Sequence, residues 1–441
     1  MKNSLARTAT TPSYTKCSIK KLSKLLGLLI ISTASLAQKD TGYLLQPDRV
    51  FDGEKLLTGV SVFVHNDKIV AIGPTANIKP TGDVTVIKLP GCTLLPGLIE
   101  GHSHLLLHPY NETSWVDQVM KETDSYRVAR ATVHAKNTLM AGVTTVRDLG
   151  SEGAGYADVG LKQAIDEGII AGPRMIVAGR AIVATGTYGP KGFDTDFNVM
   201  LGAEAADGNN LITVVRDQIG KGADVVKVYA DYRWGLKNEP QPSFSIDELK
   251  LIVETAASSG RKVVAHASTA EGMRRAILAG VSTIEHGDAG TLEIFQLMKE
   301  KNVALCPTIA AGHAIAQYKG WHVGTLPEPD GVKQKRASYQ AAIQAGVTIC
   351  AGGDIGVFAH GDNVRELEMM TEYGMMADQV IRSATSVNAD VFGIGDNRGR
   401  IKENLKADIL VVQGDPTKNI SDLRKVKLVM KDGVVYRNEK L

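Results

Sequence analysis

The chain has 441 residues, 44% hydrophobic and 22% charged, with a net charge of +2. Those proportions exclude a disordered or collagen-like chain, and no basic patch points to a nucleic-acid partner. The length allows a large core, such as one big barrel with a smaller appendage.

Residues 1–37 carry Lys2, Arg7, Lys16, Lys20, Lys21 and Lys24 and no acid, so the remainder is net negative. This basic stretch precedes the apolar run Leu25 to Ile31, and Ser35-Leu36-Ala37 offers a small-x-small cleavage site. The pattern is that of a signal peptide, and the run is too short to span a bilayer. An exported protein, periplasmic or secreted and free of the membrane after cleavage, is expected. Cys92, Cys306 and Cys350 would remain, an odd number and no disulfide framework. Buried thiols are expected there.

Residues 42–89 read as short strands and turns. Ser61 to Val64 and Ile69 to Ile72 flank the polar turn Asn66-Asp67-Lys68, and Val84 to Ile87 adds a strand. The C-terminus has the same texture, with strands at 407–412, 426–430 and 434–436. The expectation is a small β-sandwich domain built from both ends, residues 38–95 and 401–441.

The middle, 96–400, alternates apolar strands with helical patterns. Strands are expected at 98–104, 143–148, 174–181, 224–229, 262–267, 282–286, 303–308 and 347–354. Amphipathic stretches such as Ser125 to Met140 and Ile246 to Ser258 lie between them, the latter opened by a Ser245/Glu248 capping box. Eight such units predict an α/β fold, a (β/α)₈ TIM barrel, with its chemistry at the C-terminal strand ends.

The reactive residues fall at those ends. His102 and His104 are separated by one residue, so on a strand both point the same way and can hold one metal ion. Lys227 sits inside the Val-rich strand Asp224 to Tyr229, where an ammonium is costly to bury. His266, His286 and Asp354 close the fifth, sixth and eighth strands. Any one of these histidines alone would read as a hydrogen-bonded scaffold residue. The set together reads as a metal site.

With Gly142 to Gly150, Ala384 to Ala389 and Ile401 to Pro416, this set resembles the metal-dependent amidohydrolase superfamily. Within it the chain is similar to the Xaa-Pro dipeptidase (prolidase-like) group, which also contains ochratoxin-degrading amidohydrolases. The resemblance implies two divalent metal ions, zinc by expectation, bridged by N6-carboxylated Lys227. It implies His102, His104 and Asp354 on the more buried ion and His266 and His286 on the other. Carboxylation would turn a costly buried cation into an anion with two oxygens. Asp354 would take a proton from water and deliver it to the leaving amine.

The group usually carries Gly-Gly-His-Gly after its third strand. Here Tyr188 stands in Thr185-Gly186-Thr187-Tyr188-Gly189 at the place of that histidine. The resemblance implies that this loop faces the substrate, to which Tyr188 can donate a hydrogen bond, but it carries no positive charge near neutral pH. The resemblance implies that Tyr229 contacts the substrate carboxylate or carbonyl. His108 and His360, on loops after the first and eighth strands, are expected to edge the pocket, and His134 to be structural. Residues 311–329 are expected to form a loop over the mouth, with Trp321 as an apolar contact.

The expected activity is hydrolysis of an amide whose leaving group is an amino acid with a free carboxylate. Dipeptides ending in proline or another residue fit, as do N-acyl amino acids such as ochratoxin A. A homo-oligomer acting on a small molecule or dipeptide is expected. The alternatives are a cyclic-amide hydrolase or deaminase of the same superfamily, or a non-catalytic exported metal-binding protein.

Overall fold

The computed structural model describes residues 41–194 and 196–439, so the leader read over residues 1–37 lies outside the described residues. Within them the fold is mixed α/β. No described helix is long and apolar enough to cross a membrane.

Both ends meet in one eight-stranded sheet. Its path runs Val434–Asn438, Val426–Lys431, Ile409–Gln413, Asp83–Pro96, Thr41–Phe51, Ser61–His65 and Lys68–Gly73, with Leu56–Thr58 also paired to Thr41–Phe51. The seam between the ends is antiparallel and places Ile409 opposite Pro96 and Val411 opposite Leu94. Side chains alternate along Ile409–Gln413 because successive Cβ atoms point to opposite faces. Ile409 and Val411 pack with Leu45, Val62 and Leu428, whereas Leu410 and Val412 join the core of the middle segment. This strand is therefore apolar without a polar face, and it ties two cores together.

In the middle the ladders are parallel. Leu98–Ser103 pairs with Val143–Asp148, which pairs with Arg174–Val177. The Val177 carbonyl then accepts from Asp224 N–H at 2.8 Å, at the entry to Val226–Tyr229. From there the order is Val263–Ala267, Thr283–His286 and Ala304–Cys306. Single parallel bridges, Leu305 with Ile349 and Ser103 with Ile355, lead the pairing back to its start. Parallel neighbours need crossovers, and helices such as Asp124–Met140 and Ile246–Ala257 supply them. The second of these opens on the Ser245/Glu248 capping box.

Three segments differ from the sequence reading. The strand expected at 174–181 stops at Val177, turns through Gly179 at φ +70, and resumes only at Ile182–Val183. The eighth strand, 347–354, forms one isolated bridge at Ile349 and no ladder, with a second bridge just beyond it at Ile355. Asp354 at φ +61 turns the chain out of extended geometry. Residues 311–329 do not form one loop, because Ile309–Tyr318 is a helix. Its first N–H groups, those of Ile309 and Ala310, donate to the Glu366 carboxylate at 3.0 and 2.7 Å. That cap lies 57 residues from Ile309, so no local signal announces it.

Candidate active site

A cavity of about 800 Å³ opens at the C-terminal ends of the parallel strands. His102, His104, His266, His286 and Asp354 line it. Register explains the convergence. Tyr229 lies opposite His266, and Ala267 lies opposite His286, so neighbouring strands deliver their histidines at one level. Ring centroids are 4.5 Å apart for His266–His286, 5.0 Å for His102–His286 and 5.3 Å for His102–His104. Asp354 Oδ1 stands 3.3 Å from His104 Nε2 and 3.7 Å from His102 Nε2.

Each imidazole is held by its other nitrogen or by a neighbour. His102 Nδ1 donates to Glu285 at 2.9 Å, and His104 Nδ1 donates to the Gly150 carbonyl at 2.9 Å. A carboxylate or carbonyl can only accept, so both rings present Nε2 to the cavity. His286 Nδ1 lies 2.7 Å from Thr308 Oγ1. Glu285 is anchored by Arg147 Nη2 at 2.8 Å and by the Thr283 hydroxyl.

Burial and the nearby Lys227 push His102 down to about 4 and His266 down to about 3, and burial drives His286 well below its usual range. Neutral imidazole is the form that ligates metal. Burial would raise Asp354, but His102 and His104 hold it well below the usual carboxylate range. Burial opposes charge on His104, yet hydrogen-bonded Asp354 outweighs it and raises the ring to about 9. Positive charge is therefore favoured between His104 and Asp354. Together with His102, these atoms lie within 4.8 Å of one another, close enough to share one cation. A second group, His102, Glu285 and Cys306, is equally compact. Its carboxylate, however, is already committed to Arg147 and Thr283, and burial raises its thiol well above the usual range.

Lys227 is 1% exposed and makes no hydrogen bond or ion pair with another described residue. Burial lowers its pKa, towards the free amine. Its Nζ lies 5.6 Å from the Tyr229 ring centroid. Tyr229 in turn stacks on His266 at 4.4 Å, and Tyr188 joins the same wall.

The structure does not bring His108 or His360 to the cavity. His108 Nε2 is 2.8 Å from Glu122, and His360 Nε2 donates to the Leu107 carbonyl at 2.8 Å. His360 also stacks on His134, whose Nδ1 bonds the Leu105 carbonyl. These three rings brace the chain behind the segment that bears His102 and His104. Trp321 does line the cavity, from beyond the Ile309–Tyr318 helix.

Sequence reasoning assigned no role to Glu285, Arg147 or Glu152. The first two carried a signal, since a charge inside an apolar strand needs a partner. Glu152 carried none, being one residue of the Gly-rich stretch 150–155. The backbone does mark it. Among described non-glycine residues with positive φ, only Glu152, His286 and Thr308 are neither Asn nor Asp, and all three line the cavity. Strain of this kind persists where surrounding structure enforces it and clusters at functional sites.

The chain belongs to the amidohydrolase family, whose model matches residues 93–436. It is a hydrolase acting on amide bonds, in a family that is generally metal-dependent. It is 30% identical over 412 residues to the ochratoxinase of Aspergillus niger, covering 86% of this chain and 82% of that one. The crystal structure of a Xaa-Pro dipeptidase with bound methionine superposes with a TM-score of 0.80 at 32% identity, covering 90% of this chain and 100% of that one. The Aspergillus niger ochratoxinase structure gives a TM-score of 0.76 at 26% identity, covering 91% and 97%.

Proposed function

We propose that the chain is a dinuclear amidase that releases an amino acid with a free carboxylate from a dipeptide or an N-acyl amino acid. Its parallel strands are read as a (β/α)₈ barrel, and both ends as one β-domain. The observation that carries the reading is Lys227. A buried lysine whose Nζ has the Tyr229 ring but no carboxylate within ion-pair distance, close to four histidines and one aspartate, is costly to keep as an ammonium. As a free amine, its Nζ can add to the carbon of carbon dioxide and lose a proton. The resulting anion has two oxygens and can face two cations.

The donor set fits such ions. His102, His104 and Asp354 would hold one, His266 and His286 the other, and carboxylated Lys227 both. Two divalent ions, with zinc favoured by the histidine-rich set, would supply Lewis acidity and acidify a water. The remaining chemistry belongs to the chain. Asp354 accepts the proton of the attacking water and returns it to the departing amine. Tyr229, beside His266, is placed to orient the substrate carbonyl or carboxylate. Arg233 and Lys319 also line the cavity and favour an anionic leaving group. An ochratoxinase and a Xaa-Pro dipeptidase are among the proteins it resembles, and both names fit this reading.

The test combines metal analysis of the purified protein with amino-acid release from a panel of Xaa-Pro and other dipeptides, N-acyl amino acids and ochratoxin A. About two equivalents of divalent metal and turnover on at least one substrate are expected. A protein with full activity and one metal would reject the dinuclear reading.

A further inference from the structure

One wall of the cavity is both aromatic and anionic. Trp115, Tyr188, Tyr229 and Tyr232 line it with Glu152 among them. Their rings are mutually tilted and not stacked: Trp115–Tyr188 at 5.3 Å and 73°, Tyr188–Tyr229 at 4.7 Å and 51°, Tyr188–Tyr232 at 4.9 Å and 57°, and Tyr229–Tyr232 at 5.6 Å and 79°. Tyr229 is stacked on His266, but Trp115, Tyr188 and Tyr232 bring rings at steep mutual angles around Glu152, and an ammonium group is attracted to ring faces. Burial, with Glu152 nearby, raises Tyr188 and Tyr229 well above the usual phenol range, so both stay neutral.

Glu152 is 4% exposed. Its Oε2 accepts from Tyr188 Oη at 2.5 Å and from Trp115 Nε1 at 2.9 Å. Its Oε1 lies 3.9 Å from His104 Nδ1, a nitrogen that already donates to the Gly150 carbonyl. The adjacent Arg127 guanidinium binds the Glu152 and Ser151 backbone carbonyls and forms no ion pair with the carboxylate. No described Lys or Arg nitrogen lies within 4.0 Å of this carboxylate. Apart from His104 at 3.9 Å, this carboxylate has no cationic partner within ion-pair distance, and a bound ligand's ammonium would ease the cost of its burial. One carboxylate offers too few donors for a metal. Glu152 sits at φ +50, a strained backbone that its bonds to Tyr188 and Trp115 help to enforce.

We propose that Glu152 and the rings of Trp115, Tyr188 and Tyr232 form a pocket for a substrate ammonium, selecting amides whose acyl side carries a free amine. This rests on the amidase reading above and narrows it to dipeptides with a free N-terminus over N-acylated amino acids. The Tyr188 that replaces the expected histidine serves this pocket. A histidine there could carry positive charge and repel the ammonium, whereas tyrosine donates to Glu152 and stays neutral.

The test compares, on the full enzyme, each cleaved dipeptide with its N-acetyl counterpart and with the N-acetyl-lysyl counterpart. N-acetylation should lower kcat/KM by at least about 10²-fold, because it removes the donor and the charge together. Recovery in the N-acetyl-lysyl substrate would assign the pocket to a side-chain ammonium, and no recovery would assign it to the α-ammonium. Glu152→Gln keeps an acceptor for Tyr188 and Trp115 but removes the charge. It should shrink the free-to-acetylated preference by at least about tenfold, mainly through KM. Equal loss on both members of a pair would make Glu152 a support for His104 and overturn the proposal. N-acetyl substrates cleaved as well as free dipeptides would overturn it while leaving the amidase reading intact. No turnover on any amide would remove both.

Discussion

Lys227 and Asp354 pose opposite problems at the scale of a residue. The lysine is buried where its charge is unwelcome, and the half-buried aspartate has its charge held by two imidazoles. Lys227→Ala should therefore be tolerated by the fold but should lose metal and activity. Added short carboxylates should restore part of the turnover by standing in for the anion on Nζ. Retention of both metals and full turnover in this variant would reject the bridge. Asp354→Asn keeps an oxygen for coordination but accepts no proton in the same way. With metal supplied in excess, kcat should fall by at least about 10²-fold at full occupancy. Metal analysis and kinetics on one preparation decide between ligand and proton carrier. Both residues were legible in the sequence because each breaks its surroundings, a lysine among valines and an aspartate after two glycines. His108 and His360 broke nothing. Their loop positions suggested the pocket, but partners such as Glu122 and the Leu107 carbonyl draw them behind it.

Elements are legible when their signal is local. The Ser245/Glu248 capping box sits at the start of Ile246–Ala257 as three residues of sequence predict, and Ser245→Ala should cost about 1 kcal/mol of stability, read as a lower midpoint in denaturant with unchanged slope. The Ile309–Tyr318 helix was hidden because its cap is a distant carboxylate, Glu366. The segment 347–354 was misread for a related reason. Its apolar pattern is a strand pattern, but its geometry is set by close approach to another segment. A Cβ on Gly352 would lie 2.7 Å from His102 N and 2.5 Å from Cys306 Sγ. Gly352→Ala should thus push apart the segments bearing Asp354 and His102. Activity should fall together with thermal stability, and normal kinetics in this variant would show that the two segments have slack.

For the whole molecule, the proposed metal ligands come from segments far apart in the chain. His102 and His104 end one strand, Lys227, His266 and His286 lie on three others, and Asp354 lies on a fifth segment. A ligand that joins them acts as a cross-link on the folded state, and its removal should be felt as global stability. Binding at about 1,000 times Kd adds about 4.1 kcal/mol, and each kcal/mol moves Tm by roughly 2–4 °C even in domains of ~150–250 residues. Exhaustive chelation should abolish turnover and lower Tm by several degrees, with both restored by returned zinc. The chelated protein should also become acid-sensitive. His102 and His266 titrate at about 4 and about 3 in the fold against 6.5 for a free imidazole. The unfolded chain therefore binds more protons as pH falls from 6.5 towards 4, and stability drops across that window. Thermal melts at several pH values, with and without chelator, check both effects. An unchanged Tm after complete metal loss would mean that packing alone holds these segments together and that the ions contribute chemistry without stability.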